Sequence, residues 1–333
     1  MITDPRVLEE DFVPSEIAHR HDELEKLSHA VRPVLHGQRA PASLVTGPSG
    51  AGKTCLSLFV AERAGEQVDH PFFTRVMGWE SRREVLQQIC RSLAPAVETT
   101  SRSAGDLERF IRDRVDRDHP HLVIIDEADQ VPDDILLQVL YEMPGIGLSL
   151  VGNHRQDILA DLPDRIQSRL TPYEEVQLSR YSTEQLVDIL DARVNQGFVP
   201  GSVSVEQIER VARAADGNAR SAIGTLAMAF SQANLHDHAS IHDEDIDAAL
   251  RDVDGELRER AMDRLSGHHR VLFDIVVNAG TEVAATDVYE RYEARVNEPM
   301  SNRQVRRYMQ KLEEYGFIES GGENRWRTYQ VKE

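Results

Sequence analysis

Four short apolar runs punctuate the first half of the chain: Ser43-Leu44-Val45-Thr46, Phe72-Phe73-Thr74-Arg75-Val76, Leu122-Val123-Ile124-Ile125 and Leu148-Ser149-Leu150-Val151. Each is bounded by polar residues, the pattern of parallel strands buried on both faces. Helical spacing between them predicts helices from Ile17 to Leu35, Lys53 to Ala64 and Arg82 to Leu93, with a polar loop over Val97–Gly105. Strands alternating with helices define an α/β parallel-sheet domain over residues 1–178. Beyond Gln177 the pattern is helical only. Ser182-Thr183-Glu184-Gln185 and Ser204-Val205-Glu206-Gln207 are capping boxes, each opening an amphipathic run, and further helices follow from Ala219 to Asn234 and from His242 to Arg251. Residues 179–254 therefore read as a small all-helical domain. In residues 255–333, helices precede Phe317-Ile318-Glu319, a turn at Ser320–Asn324 and a returning strand from Trp326 to Val331, which predicts a C-terminal winged-helix domain.

Composition narrows the class. A chain of 333 residues has room for two or three domains. No apolar stretch approaches a membrane span, and the acidic start Met1–Phe12 has no signal core, so a cytoplasmic, nucleoid-associated protein without membrane contact is expected. Two cysteines, Cys55 and Cys90, make neither a disulfide framework nor a metal knuckle. The histidines are scattered, and the His236/His238 and His268-His269 pairs lack carboxylate or cysteine company, so no structural zinc is expected there. Lys+Arg is 38 against Asp+Glu 57, a net charge of −19, with lysine only at Lys26, Lys53, Lys311 and Lys332. An acidic, lysine-poor chain that retains arginine fits a halophilic archaeon's molar salt.

The chemistry starts at Gly47-Pro48-Ser49-Gly50-Ala51-Gly52-Lys53-Thr54, a GxxxxGK[ST] P-loop between a predicted strand and a predicted helix. Its glycines let successive N–H groups turn toward phosphate oxygens, with the helix N-terminus adding a favourable dipole. Lys53 suits the β- and γ-phosphates of ATP, and Thr54 a Mg²⁺ ion. The strand His121–Ile125 ends in Asp126, placed for the Mg²⁺ shell, and Glu127, placed to activate the attacking water. Asn153 follows the next strand and emerges beside Glu127, to hold water or the γ-phosphate. Arg220 opens a lid helix within reach of the γ-phosphate, and Arg165 lies at the far edge of the α/β domain, where it can act on a neighbour's ATP. A surface ion pair is the competing reading for both arginines.

Ser301–Tyr315 carries two faces. Val305, Tyr308, Met309 and Leu312 make an apolar stripe, while Arg303, Arg306, Arg307 and Gln310 lie roughly opposite. With Lys311 on the same helix and Arg325 and Arg327 flanking Trp326 at the turn, this is the layout of a recognition helix and wing on double-stranded DNA. Residues 301–333 have a net charge of +2, against −21 for the rest of the chain. A helix face salt-bridged to Glu313 and Glu314 is the competing reading. Molar salt leaves little counterion-release energy, so binding there needs base contacts, apolar contacts or cooperating protomers.

The order of strand, P-loop, Asp126-Glu127, Asn153, Arg165 and a helical lid with Arg220 resembles an AAA+ ATPase. Val7–Arg20, Leu162–Ser168, Tyr181–Leu186 and Gly217-Asn218-Ala219-Arg220 narrow the resemblance to the archaeal Orc/Cdc-type replication initiators, over essentially the whole chain. The resemblance implies an adenine pocket of Val13, Pro14 and Ile17 with Tyr181 nearby, and Arg20 as the entry arginine. It also implies Asn153 as sensor 1, Arg220 as sensor 2 and Arg165 as arginine finger in a homo- or hetero-oligomer. Slow ATP hydrolysis, with tightly held ADP, would switch DNA-bound states at origin repeats, and the bound form would help load the replicative helicase. The stretch between Tyr141 and Leu148 and the loop Val97–Gly105 are short for the family, where such elements add DNA contacts, so the chain reads as a divergent paralogue. The alternatives are a DNA-binding regulator with structural nucleotide, or a partner-remodelling ATPase of transposition or clamp-loader type.

Overall fold

The computed structural model describes residues 1–9, 11–70, 72–115, 120–131, 134–159, 167, 174–251, 265–297, 299–322 and 327–332. The chain divides into two compact units, Met1–Val253 and Asp254–Glu333.

The first unit is built on five parallel strands, β1 (Ser43–Thr46), β2 (Phe73–Met77), β3 (His121–Asp126), β4 (Ile146–Gly152) and β5 (Glu174–Gln177), in the order β2-β3-β4-β1-β5. The three central strands β1, β3 and β4 are buried at every position, as their unbroken apolar runs require. Helices α1 (His21–Val31), α2 (Lys53–Gly65), α3 (Arg82–Leu93), α4 (Ala104–Arg114), α5 (Asp134–Glu142) and α6 (Arg155–Leu159) accompany the sheet. One apolar cluster gathers Leu86, Ile89, Leu107, Ile111, Val123 and Ile125, and a second gathers Leu27, Val45, Leu56, Ala61, Leu122 and Val151. Neighbouring positions on β3 thus feed opposite faces.

Three elements depart from the expected pattern. The predicted helix Ile17–Leu35 starts only at His21 and ends at Val31. Pro33, which has no N–H to donate, turns Arg32–His36 into a 3-10 segment. Helix α4 was not expected. Ser103 caps it through the Asp106 N–H, and only Leu107 and Ile111 are fully buried along it. Strand β5 carries one buried residue, Val176, among charged neighbours, and such an edge strand leaves almost no period-two signal.

The helical part of this unit comprises α7 (Thr183–Gly197), α8 (Val205–Ala214), α9 (Ala219–Leu235) and α10 (243–251). Both expected capping boxes form, on Ser182 with Gln185 and on Ser204 with Gln207. The N-terminal segment clasps α7. Thr3 donates its N–H to Gly197 O at 2.7 Å, and the buried Arg193 guanidinium reaches the carbonyls of Val7, Glu9 and Phe12.

The second unit has α11 (Gly267–Ala279), β6 (Val283–Ala284), α12 (Ala285–Arg295), α13 (Asn302–Glu314), β7 (Ile318–Gly321) and β8 (Thr328–Val331). Its strands form an antiparallel sheet in the order β6-β8-β7. The α13 stripe Val305, Tyr308, Met309 and Leu312 is buried against Leu272, Ile275, Tyr292 and Tyr329. Among the described residues, no helix is long and apolar enough to cross a membrane.

Candidate functional site

Parallel register brings the chemistry to one edge. Thr46 pairs with Gly152, and Ile125 with Leu150, so the chain leaves β1, β4 and β3 side by side at their C-terminal ends. Ligands in open α/β sheets bind at that edge. The P-loop follows β1, Asn153 follows β4, and Asp126-Glu127 end β3. The Gly47 N–H donates to Asn153 O at 3.2 Å, fixing the P-loop to the end of β4.

Lys53 donates to Gly47 O at 2.7 Å, Pro48 O at 3.0 Å and Asn153 Oδ1 at 3.1 Å. Its ammonium is thus held at the mouth of the loop by the amide expected to sense phosphate. The Thr54 hydroxyl donates to Asp126 Oδ2 at 2.9 Å, and the Glu127 N–H to Asp126 Oδ1 at 3.1 Å. Two hard oxygen donors converge, which is the donor set Mg²⁺ prefers. Glu127 itself has φ 55° and ψ 43°, a left-handed conformation costly for a residue with a Cβ. Gly78 makes room for it, since a Cβ on Gly78 would lie 2.0 Å from Glu127 O.

The lid meets the P-loop directly. Asn218 caps α9 through the Ser221 N–H at 3.1 Å, and the Ala219 N–H donates to Gly50 O at 3.0 Å. Half-buried Arg220 is therefore presented from a helix start seated on the phosphate-binding loop. Ile17 is buried in the cluster that contains Ala51 and Leu56, with Val13 packed on it and Pro14 half-buried beside them in sequence. Arg20 is 4% exposed and donates to Ala51 O at 3.2 Å and Ser179 O at 2.5 Å, with its guanidinium 4.2 Å from the centre of the Tyr181 ring. One buried cation thus joins entry segment, P-loop and the start of the lid. Burial raises the Tyr181 hydroxyl pKa.

Arg75 was missed as a site residue. From β2 it donates to Asp126 Oδ2 at 2.8 Å and to Asp11 Oδ1 at 3.1 Å. Burial would lower its pKa, but the Asp126 and Asp11 charges raise it overall. The available signal was an arginine inside the apolar run Phe72–Val76. Arg75→Ala is expected to strip Asp126 of a charged partner and to cost about 2 kcal/mol of stability, the scale of a hydrogen bond between charged groups. Thermal denaturation checks this, and the deficit should shrink when Mg²⁺ and nucleotide are added.

Arg165 and Arg325 lie outside the described residues, as does Trp326. On α13, Arg303, Arg306 and Gln310 are exposed and Arg307 half-exposed. Arg306 Nε donates to the Tyr289 hydroxyl at 3.3 Å. One expectation for DNA contacts needs correction. Lys311 is 3% exposed, its ammonium over the Tyr315 ring and paired with Glu314 at 3.4 Å, because a long side chain at the border of the apolar stripe turns inward. Arg327 stays partly exposed beside the hairpin and pairs with Glu313 at 3.3 Å. The expectation that His236 and His238 lack carboxylate company is also overturned, since the lid fold brings Asp245 against both.

A P-loop, an acidic strand end and an asparagine at one parallel-sheet edge, roofed by a helical lid, define an AAA+ ATPase. Residues 36–159 match the AAA domain family, and residues 187–251 the Cdc6 AAA+ ATPase-type lid domain. The chain is 35% identical to ORC1-type DNA replication protein 9 of Halobacterium salinarum, over 99% of this chain and 94% of that protein. It is 33% identical to ORC1-type DNA replication protein 1 of the same organism, over 92% of this chain and 100% of that one. The solved structure of the Aeropyrum pernix ORC1 protein in complex with DNA superposes with a TM-score of 0.72 at 22% identity, covering 99% of this chain and 93% of that one. The chain belongs to the ORC1-type, Cdc6-related family of replication initiator AAA+ ATPases.

Proposed function

We propose that the chain is an ATP-switched initiator that grips origin DNA and helps load the replicative helicase, with slow hydrolysis as the switch. The carrying observation is that one sheet edge assembles Lys53, Thr54, Asp126, Glu127 and Asn153 in a chain whose α13 also exposes arginines. In this reading the P-loop N–H groups and Lys53 hold the phosphates, and Val13, Pro14, Ile17 and Tyr181 enclose the adenine. Thr54 and Asp126 would hold Mg²⁺, which supplies charge neutralisation of the phosphates. Glu127 takes the proton of the attacking water while Asn153 orients it. Arg220 reports the γ-phosphate to the lid, and Arg165 completes the site of a neighbouring protomer.

The second unit reads as a winged helix. Helix, short strand, two helices and a hairpin follow one another, and α13 offers Arg303, Arg306, Arg307 and Gln310 to the major groove. The test replaces Arg303, Arg306 and Arg307 together with alanine and measures binding to duplex carrying the host's origin repeats in molar salt. Affinity should fall at least tenfold, about 1.4 kcal/mol. Unchanged binding would remove DNA recognition from this unit, and mapping the protein to chromosomal sites away from origins would remove the initiator role.

A further inference from the structure

The lid carries a cluster that ATP binding does not use. Helix α9 ends at Leu235 with His236 as its C-cap, and Asp237 takes a left-handed φ of 56° that reverses the chain. His236 and His238 then fall on one side of the turn, facing the first turn of α10. There Asp245 is fully buried, at 0% exposure. His238 Nδ1 lies 2.9 Å from Asp245 Oδ2, and His236 Nδ1 lies 3.4 Å from Asp245 Oδ1. All three donor atoms lie within 4.8 Å of one another. A tetrahedral ion with bonds of about 2.0–2.1 Å spaces its ligands by roughly 3.3 Å. The two nitrogen–oxygen distances, 2.9 and 3.4 Å, bracket that spacing.

The surroundings are those of a supported site. The His242 N–H donates to Asp245 Oδ2 at 2.9 Å, fixing the carboxylate. Glu244 Oε1 stands 3.5 Å from His238 Nε2, the far ring nitrogen. A carboxylate on the far nitrogen of a histidine is the partner that orients a metal-bound imidazole. His242 stacks on His238 with ring centres 3.9 Å apart, which limits rotation of the ring. His236 is half-exposed, so an ion can enter from solvent.

We propose that His236 Nδ1, His238 Nδ1 and Asp245 bind one first-row divalent cation, zinc foremost, with the fourth position left to water. Two imidazoles and one carboxylate are the donor set of zinc and its borderline neighbours, not of magnesium. In the bound form each imidazole presents its Nδ1 lone pair to the ion and carries its proton on Nε2. In His238 that proton then faces Glu244. The ion ties the end of α9 to the start of α10, at the opposite end of the helix from Arg220.

The test uses the full chain after chelator treatment, in molar KCl. Zinc is titrated calorimetrically, and Co²⁺ is added separately to read the visible absorption of tetrahedral coordination. One equivalent of zinc should bind, raise the thermal midpoint and give the Co²⁺ bands. His236→Ala, at a half-exposed position that should spare the fold, should weaken zinc at least tenfold and abolish the bands. His238→Ala should do the same. No binding by the wild type, or wild-type affinity in either histidine variant, overturns the site. His29→Ala, an exposed histidine elsewhere, controls for non-specific zinc and should leave the stoichiometry unchanged, while an equal loss there also overturns the site.

Discussion

Glu127→Gln is expected to lower ATP turnover by about 10²–10³-fold, the usual contribution of a positioned general base, while nucleotide affinity stays within about twofold. The amide keeps the size of the carboxylate but cannot take a proton at neutral pH. The Glu127 backbone is fixed by contacts that the substitution does not touch. Its left-handed φ is accommodated by the missing side chain of Gly78, and its N–H is anchored on Asp126 Oδ1. The substitution therefore leaves Thr54, Asp126 and the P-loop as they are. Single-turnover hydrolysis, read beside titration with a fluorescent nucleotide, separates the two quantities. Equal rates in variant and wild type would make the nucleotide structural and favour the regulator alternative. Lys53→Ala supplies the contrast, because its ammonium sits at the mouth of the loop and its loss should weaken binding itself.

These roles are unevenly legible in the sequence. The P-loop and Asp126-Glu127 stand out because phosphate chemistry demands particular residues at fixed local spacing. The central strands stand out because burial on both faces leaves unbroken apolar runs. Arg75 was invisible as a site residue because its role depends on parallel pairing that places Met77 beside Asp126, a relation between distant segments. The same holds for Asp245, which meets His236 and His238 only after α9 and α10 fold back on each other. Lys311 was misread for a different reason. A long side chain at the border of an amphipathic helix can turn inward and bury its stem against an aromatic ring, and helical periodicity does not resolve that border. Edge strand β5 was silent because its solvent-facing positions carry charge.

The contact between lid and P-loop gives the second large expected effect. Gly50 has φ +74°, and a Cβ there would lie 1.8 Å from Asn218 Oδ1. That oxygen is not free to swing aside, since it caps α9 through the Ser221 N–H. Gly50→Ala therefore meets two separate costs. Left-handed backbone costs an alanine about 1–2 kcal/mol, and displacing the cap costs about 1 kcal/mol more. The sum, roughly 2–3 kcal/mol, should appear as a lower thermal midpoint. Asn218→Gly alone should cost only a few tenths of a kcal/mol, since glycine is tolerated at a cap. In the double variant the clash is gone and only the backbone strain persists, so the two substitutions should be non-additive by about 1 kcal/mol. The coupling matters for function because the Ala219 N–H binds Gly50 O in the same contact, one residue before Arg220. In the proposed role of Arg220, a P-loop that cannot accept the lid cannot pass the state of its phosphates to that arginine. Gly50→Ala should then blunt any difference between ATP and ADP in lid protection from proteolysis, even where nucleotide still binds. Strictly additive stabilities would mean that Asn218 does not rest on Gly50 in solution, and the lid would have to read the nucleotide by another route.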